Sequence, residues 1–122
     1  MNAAARILVV DDHVYLAENI AEILEGEGYQ TRVAVSAEQA LDTLERDEIH
    51  ALITDYRLPG RNGAQLIREM RQRGRQIPAV VMSAYSDEET IAAARAAAGA
   101  MEVLTKPVAI VELLGLVSGL WA

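Results

Sequence analysis

Five residues of this chain have side chains suited to phosphate and hard cations, and each follows a short apolar run. Asp11 and Asp12 close Ile7-Leu8-Val9-Val10, Asp55 closes Ala51-Leu52-Ile53-Thr54, Ser83 closes Ala79-Val80-Val81-Met82, and Lys106 follows Glu102 to Thr105. Three carboxylates gathered in one cleft repel one another, so their joint ionisation calls for a cation. A hard ion such as Mg²⁺ fits, because it uses one or two carboxylates together with waters and substrate oxygens. One carboxylate can then attack phosphorus and form an acyl phosphate. Lys106 and the Ser83 hydroxyl would hold the transferred oxygens, since phosphoryl transfer depends on positioning and charge neutralisation. Taken singly, each residue has a plainer role: an Asp after a strand caps a helix, a Ser serves a turn, a Lys is a solvated charge. Their convergence at the ends of four strands favours a site.

That convergence rests on the elements between the motifs. The three apolar runs lack polar alternation and read as strands, the first of them covered on both faces. Gln30 to Val35 alternates and predicts the second strand in chain order; Glu102 to Thr105 predicts a weak fifth. Helical spacing recurs over Val14 to Glu27, over Ala37 to Leu44 after a Ser36/Gln39 capping pattern, around Leu66, Ile67 and Met70, over Asp87 to Ala98 after Ser86/Glu89, and over Ala109 to Leu120. Leu58-Pro59-Gly60 and Asn62-Gly63 read as loop. Five β-α repeats predict an α/β fold, a parallel sheet with helices on both faces. In such sheets the ligand site lies outside the carboxyl ends of the strands.

Composition narrows the classes. The chain has 122 residues, fitting one domain over 1–122, and a formal net charge of −7. An acidic protein repels phosphate backbones, which disfavours direct nucleic-acid binding. With no cysteine, disulfides, zinc-thiolate centres and a Cys nucleophile are excluded. Residues 1–5 have no signal-peptide pattern and no segment has the apolar length of a membrane span, so a cytoplasmic protein, or a cytoplasmic piece of a larger one, is expected.

The set Asp11-Asp12, Asp55 with Leu58-Pro59-Gly60 and Gly63, Ser83-Ala84, Gly99-Ala100 and Lys106-Pro107 resembles the receiver domain of two-component response regulators. The likeness covers the chain from Arg6 to the last helix. It implies a flavodoxin-like doubly wound sheet of order 2-1-3-4-5. It implies Asp55 as phosphoacceptor, Asp11 and Asp12 as the acidic pair holding Mg²⁺, Arg57 as the donor of a backbone carbonyl to the metal, and Ser83 and Lys106 as ligands of the phosphoryl group. It further implies a cis Lys106-Pro107 bond and a histidine kinase or histidine phosphotransfer protein as donor. Such a domain is a signalling switch that catalyses its own phosphorylation and dephosphorylation, not an enzyme acting on a metabolite.

Two departures stand out. The family often has an aromatic three residues before the lysine that swings inward on activation; here that residue is Val103, so readout is expected from another element, Tyr85 or the loop after Ser83. Arg57 and Tyr85 are expected to overhang the site and to restrict water. The last helix, residues 109–120, is apolar nearly all round, with Ile110, Leu114, Gly115 and Gly119 as candidate partner-facing positions for a second copy or a neighbouring domain. His13 is a candidate metal ligand or acid-base group but reads rather as solvent-exposed, His50 as structural, and Arg68, Arg71, Arg73 and Arg75 as a solvated basic face. Leu16, Ile20, Leu66 and Ile67 are core or kinase-facing. Two other functions compete. A haloacid-dehalogenase-type phosphatase or mutase needs an Asp two residues after the nucleophile, where Arg57 stands. Flavin binding needs a phosphate-cradling loop where Asp11-Asp12-His13 would repel phosphate. The chain reads either as stand-alone or as a piece of a longer regulator or hybrid kinase.

Overall fold

The structure, a computed structural model, describes residues 5–84, 92, 95 and 102–121. The uninterrupted apolar runs form three strands with almost every residue buried: β1 (Arg6–Val10), β3 (Ala51–Asp55) and β4 (Ala79–Ser83). The two strands with polar positions, β2 (Gln30–Ala34) and β5 (Glu102–Thr105), take the sheet edges, where one flank is free of pairing. All pairings are parallel and the order is β2-β1-β3-β4-β5. This is the flavodoxin-like doubly wound order.

The period of two along each strand divides the core into two layers. Ile7, Val9, Ile53 and Val80 face α1 (Val14–Gly26) and the C-terminal helix α4 (Ile110–Ser118), meeting Leu24, Leu113 and Val117. Leu8, Val10, Leu52 and Val81 face α2 (Ala37–Arg46) and α3 (Gly63–Gln72), meeting Leu41, Leu44, Leu66, Ile67 and Met70. Leu66 and Ile67 are fully buried, which assigns them to the core and not to a partner.

The Ser36 cap forms as expected: its hydroxyl accepts the Gln39 N–H at 3.1 Å. The Gln39 side chain accepts from Val35 N–H. At α3 the structure corrects the sequence reading. Asn62-Gly63 reads as loop, yet Gly63 is the first residue of the helix. Asn62 Oδ1 accepts the Gln65 N–H and Gln65 Oε1 accepts the Asn62 N–H, each at 2.8 Å, a complete capping box. The helix expected over 87–98 lies outside the described residues apart from Ala92 and Arg95, which are helical.

Lys106-Pro107 is cis, as the resemblance implies. In α4, Leu113 and Val117, four apart, form the buried stripe, and Leu114 is half-buried. Ile110 and Val111 are 53% and 83% exposed. A Cβ on Gly115 would meet nothing within 4 Å, and one on Gly119 only carbonyls of its own helix, so nothing described packs on this strip. The chain then folds back under the amino ends of the strands. Trp121 Nε1–H donates to the His50 carbonyl at 3.2 Å, and its ring lies 6.1 Å from that of Tyr29. Among the described residues no helix is long and apolar enough to cross a membrane.

Candidate functional site

Parallel pairing sets equivalent strand ends side by side. Val10 pairs with Thr54, so Asp11 and Asp55 emerge as neighbours; Asp55 pairs with Met82, and Ser83 with Thr105, which brings Ser83 and Lys106 to the same end. Backbone hydrogen bonds extend the sheet past the strands. Asp11 N–H donates to the Ala34 carbonyl at 3.1 Å, Tyr56 N–H to Met82 at 2.8 Å, and Lys106 N–H to Ser83 at 2.8 Å. The main chain is thus held by the sheet independently of any contact between the functional side chains.

The turn after β3 is held just as closely. Thr54 Oγ1 donates to the Asp55 carbonyl at 2.9 Å, and Gly63 N–H donates to the Tyr56 carbonyl at 2.7 Å. A Cβ on Gly63 would lie 2.6 Å from the Asp55 carbonyl oxygen and 3.1 Å from Thr54 Cγ2. Gly63 therefore belongs to the site through its missing side chain. In the sequence it stands in the motif set that carries the resemblance, but composition marks it only as a Gly in a turn-rich stretch and says nothing about what lies opposite.

Asp11, Asp55 and Ser83 are buried, whereas Asp12 is exposed. Lys106 Nζ lies 3.0 Å from Asp55 Oδ1 and 4.0 Å from Asp11 Oδ2. Burial pushes the Asp55 carboxyl above the ordinary carboxylate range. The hydrogen bond and charge of Lys106 pull it back, the Asp11 charge adds to the rise, and a hydrogen bond from the Arg57 backbone opposes it. Arg57 is exposed and serves Asp55 through its main chain. The Ser83 hydroxyl donates to the Ala84 carbonyl at 3.1 Å. Val103 is half-buried and packs with Leu58 and Ile77 against the α2–α3 core layer. Tyr85 lies outside the described residues.

The sequence reading set one member of the cluster aside in favour of solvent exposure. Asp11, Asp12, His13 and Asp55 each offer a donor atom, all within 4.8 Å of one another. The His13 ring is 68% exposed, as expected, yet its Nδ1 lies 3.3 Å from Asp11 Oδ1 and 3.5 Å from Asp12 Oδ1. Beside the pocket, an apolar groove of about 600 Å³ runs between α1 and the segment entering α4. Leu16, Ile20, Ile23, Pro107, Val108 and Leu113 line it, and it reaches Asp11 and Lys106.

Comparison with known proteins agrees with this geometry. The family pattern of the response regulator receiver domain matches residues 7–118. A response regulator receiver protein of Anaeromyxobacter sp. (strain Fw109-5) is 38% identical over 91% of this chain and 46% of its own length. The response regulator MprA of Mycobacterium bovis (strain BCG / Pasteur 1173P2) is 35% identical over 91% of this chain and 48% of its own. The chain thus spans about half the length of those two relatives. The crystal structure of a CheY-like receiver domain protein from Methanospirillum hungatei JF-1 superposes with a TM-score of 0.86 at 27% identity, covering 94% of this chain and 91% of that one. The haloacid-dehalogenase alternative finds no support, and residue 57 lacks the carboxylate it needs. With its strand order, its acidic cluster and these relatives in agreement, the chain belongs to the receiver domains of two-component response regulators.

Proposed function

We propose that residues 1–122 form one receiver domain in which Asp55 takes a phosphoryl group from a histidine kinase or histidine phosphotransfer protein. The observation that carries this reading is the meeting of three carboxylates from two strand ends, with Lys106 Nζ 3.0 Å from one of them. An Asp55 oxygen attacks phosphorus, the P–N bond to the donor imidazole breaks, and the imidazole leaves with its proton supplied by solvent. Lys106, already beside Asp55 and Asp11, pairs with the transferred oxygens. The Ser83 hydroxyl turns from the Ala84 carbonyl to donate to them. Hydrolysis by water at the same centre returns Asp55 to its free form.

The donor set suits Mg²⁺. It is all oxygen apart from His13, it is compact, and three carboxylates face the single positive charge of Lys106. Asp11, Asp12, Asp55 and the Arg57 carbonyl would hold the ion. When bound, Mg²⁺ neutralises the carboxylates and the charge on the transferred oxygens. Readout passes through contacts with other proteins, with the loop at Tyr85 in place of a ring at Val103. The exposed Ile110, Gly115 and Gly119, with the half-buried Leu114, offer α4 to a second copy or a neighbouring domain.

Incubation with acetyl phosphate and Mg²⁺ should add one phosphoryl group by intact mass, and EDTA should prevent it. An unmodified protein under conditions that modify a known receiver would overturn the reading. The groove carries a second expectation. It shares Asp11 and Lys106 with the pocket, so a donor protein reaching Asp55 must cover it. Leu16, 50% exposed on its wall, anchors that contact through its apolar side chain. Leu16→Asp should slow transfer from a phosphohistidine protein at least tenfold, the cost of losing about 1.4 kcal/mol of apolar contact. The rate with acetyl phosphate should stay unchanged. Equal slowing with both donors would place the fault in the pocket instead.

A further inference from the structure

Two donors from separate elements orient the Asp55 carboxylate. Lys106 Nζ engages Oδ1 at 3.0 Å, and the Arg57 main chain adds a backbone hydrogen bond. The second donor stands on an excursion, residues 57–62, between β3 and α3. The neck of the excursion is closed by the Gly63 N–H bond to the Tyr56 carbonyl at 2.7 Å. Its tip is a tight turn, Arg61 N–H to the Pro59 carbonyl at 3.0 Å, with Gly60 at a φ of 80°. Pro59 and Gly60 are exposed, and Leu58 is the apolar anchor. The tip is otherwise held by charge. Arg61 Nη1 lies 2.5 Å from Glu69 Oε1 on α3, and its Nε 3.9 Å from Glu38 Oε2 in the first turn of α2. Glu69 gives its second oxygen to Arg73 Nη2 at 2.7 Å, and Arg73 Nη1 reaches Glu45 Oε1 of α2 at 2.7 Å. The series Glu38–Arg61–Glu69–Arg73–Glu45 thus joins the two ends of α2 by way of the excursion and α3.

We propose that Arg61 is a positioning residue for phosphoryl transfer: its ion pairs hold the 57–62 excursion so that the Arg57 main chain stays on the Asp55 carboxylate. The inference rests on Asp55 being the phosphoacceptor, as proposed above, and goes beyond it by bringing in a residue outside the pocket. An isolated exposed ion pair adds little to stability, and a network of charges is the exception. Here Glu69 uses both oxygens and each arginine reaches two carboxylates. The helices α2 and α3 do not depend on these pairs, because Leu41, Leu44, Leu66, Ile67 and Met70 are buried in the layer they share. The excursion has no such core, so the restraint acts on the loop and not on the fold. Without it the Arg57 main chain drifts off Asp55, the carboxylate is left to Lys106, and its line of attack on phosphorus is less well set.

The test compares the full wild-type chain with Arg61→Ala and Arg61→Lys. Exchange of the Arg57 and Ile53 amide hydrogens is followed by NMR without Mg²⁺, and phosphorylation by acetyl phosphate with saturating Mg²⁺ is followed by intact mass. Ile53 is paired on both flanks in the middle of the sheet and reports whether the fold itself has loosened. In Arg61→Ala the Arg57 amide should exchange about tenfold faster with Ile53 unchanged, because only the loop opens. Phosphorylation should slow about fivefold or more, since small displacements at a reacting group are costly. Arg61→Lys keeps a positive charge for Glu69 and should recover most of both losses. A rate within about twofold of wild type in Arg61→Ala overturns the proposal. So does a slower rate with Arg57 still protected, equal acceleration at Ile53, or a Lys variant no better than Ala. If wild type takes up no phosphoryl group, the function proposed above falls and this inference with it. If wild type is modified and the rate is indifferent to residue 61, only this inference falls.

Discussion

Asp55→Asn should accept no phosphoryl group from any donor and yet unfold at a higher temperature than the wild type. Both effects have one origin. The Asp55 carboxylate, the proposed phosphoacceptor, is 5% exposed and sits beside the buried Asp11. Its ionisation in the folded state is opposed first by burial and then by that neighbour, and Lys106 only partly compensates. The folded-state pKa therefore lies above the unfolded one. Such a group weakens the fold as pH rises through the unfolded carboxylate range, and the penalty is fully present once pH exceeds the folded value. Asparagine keeps the shape and removes the charge. Lys106 loses a partner but keeps Asp11 at 4.0 Å and is one-third exposed, so it remains solvated.

Thermal unfolding in EDTA at neutral pH should show the variant ahead by a few degrees. The gap should narrow as pH falls below the ordinary carboxylate range, where both side chains are neutral. Saturating Mg²⁺ should stabilise the wild type more than the variant, since a ligand of the folded state raises stability by mass action. A variant less stable than wild type in EDTA at neutral pH would show that the Lys106 pair outweighs burial.

Gly63→Ala should damage the fold and the site together. The new methyl would stand 2.6 Å from the Asp55 carbonyl oxygen and 3.2 Å from Tyr56 Cα. Those neighbours are backbone and cannot swing aside. Overpacking of this kind costs about 1–3 kcal/mol, which for a domain of this size lowers Tm by roughly 4–12 °C. Relief requires the start of α3 to move off the end of β3, which disturbs the Gly63 N–H bond to Tyr56 and the carbonyl that Thr54 holds. Phosphorylation by acetyl phosphate should slow even at temperatures where the variant is folded. Gly60 offers a control with open space around it, although its φ of 80° makes Ala strained there too; Gly26, with open space and no such strain, is the better one. Gly26→Ala should leave the phosphorylation rate unchanged.

Much of this architecture was legible because the signals were local. An apolar run ending in a polar residue predicts both a buried strand and the place where its chemistry emerges, and Asp11, Asp55 and Ser83 all obey. Ser36 with Gln39 announces a helix start in four residues. What was illegible depended on packing and side-chain orientation. Asn62-Gly63 has the composition of a turn, and only the packing of α3 on β3 shows that Gly63 opens a helix against the Asp55 carbonyl. His13 looks like any exposed first-turn residue, because its exposure is real; its approach to Asp11 depends on a ring orientation that no periodicity encodes. The last helix was apolar on every side in sequence, and burial selects Leu113 and Val117 while leaving Ile110 and Val111 in solvent. That choice is made by the sheet beneath.

The tether formed by Trp121 and the His50 carbonyl has an optical consequence. This is the chain's sole indole, and it sits at the pole of the sheet opposite the acidic pocket. Its emission will follow the detachment of the carboxyl-terminal segment from Tyr29 and His50, and so makes a clean denaturation signal. The same emission will stay almost silent while ions or phosphoryl groups come and go at the other pole, where a reporter would have to be installed.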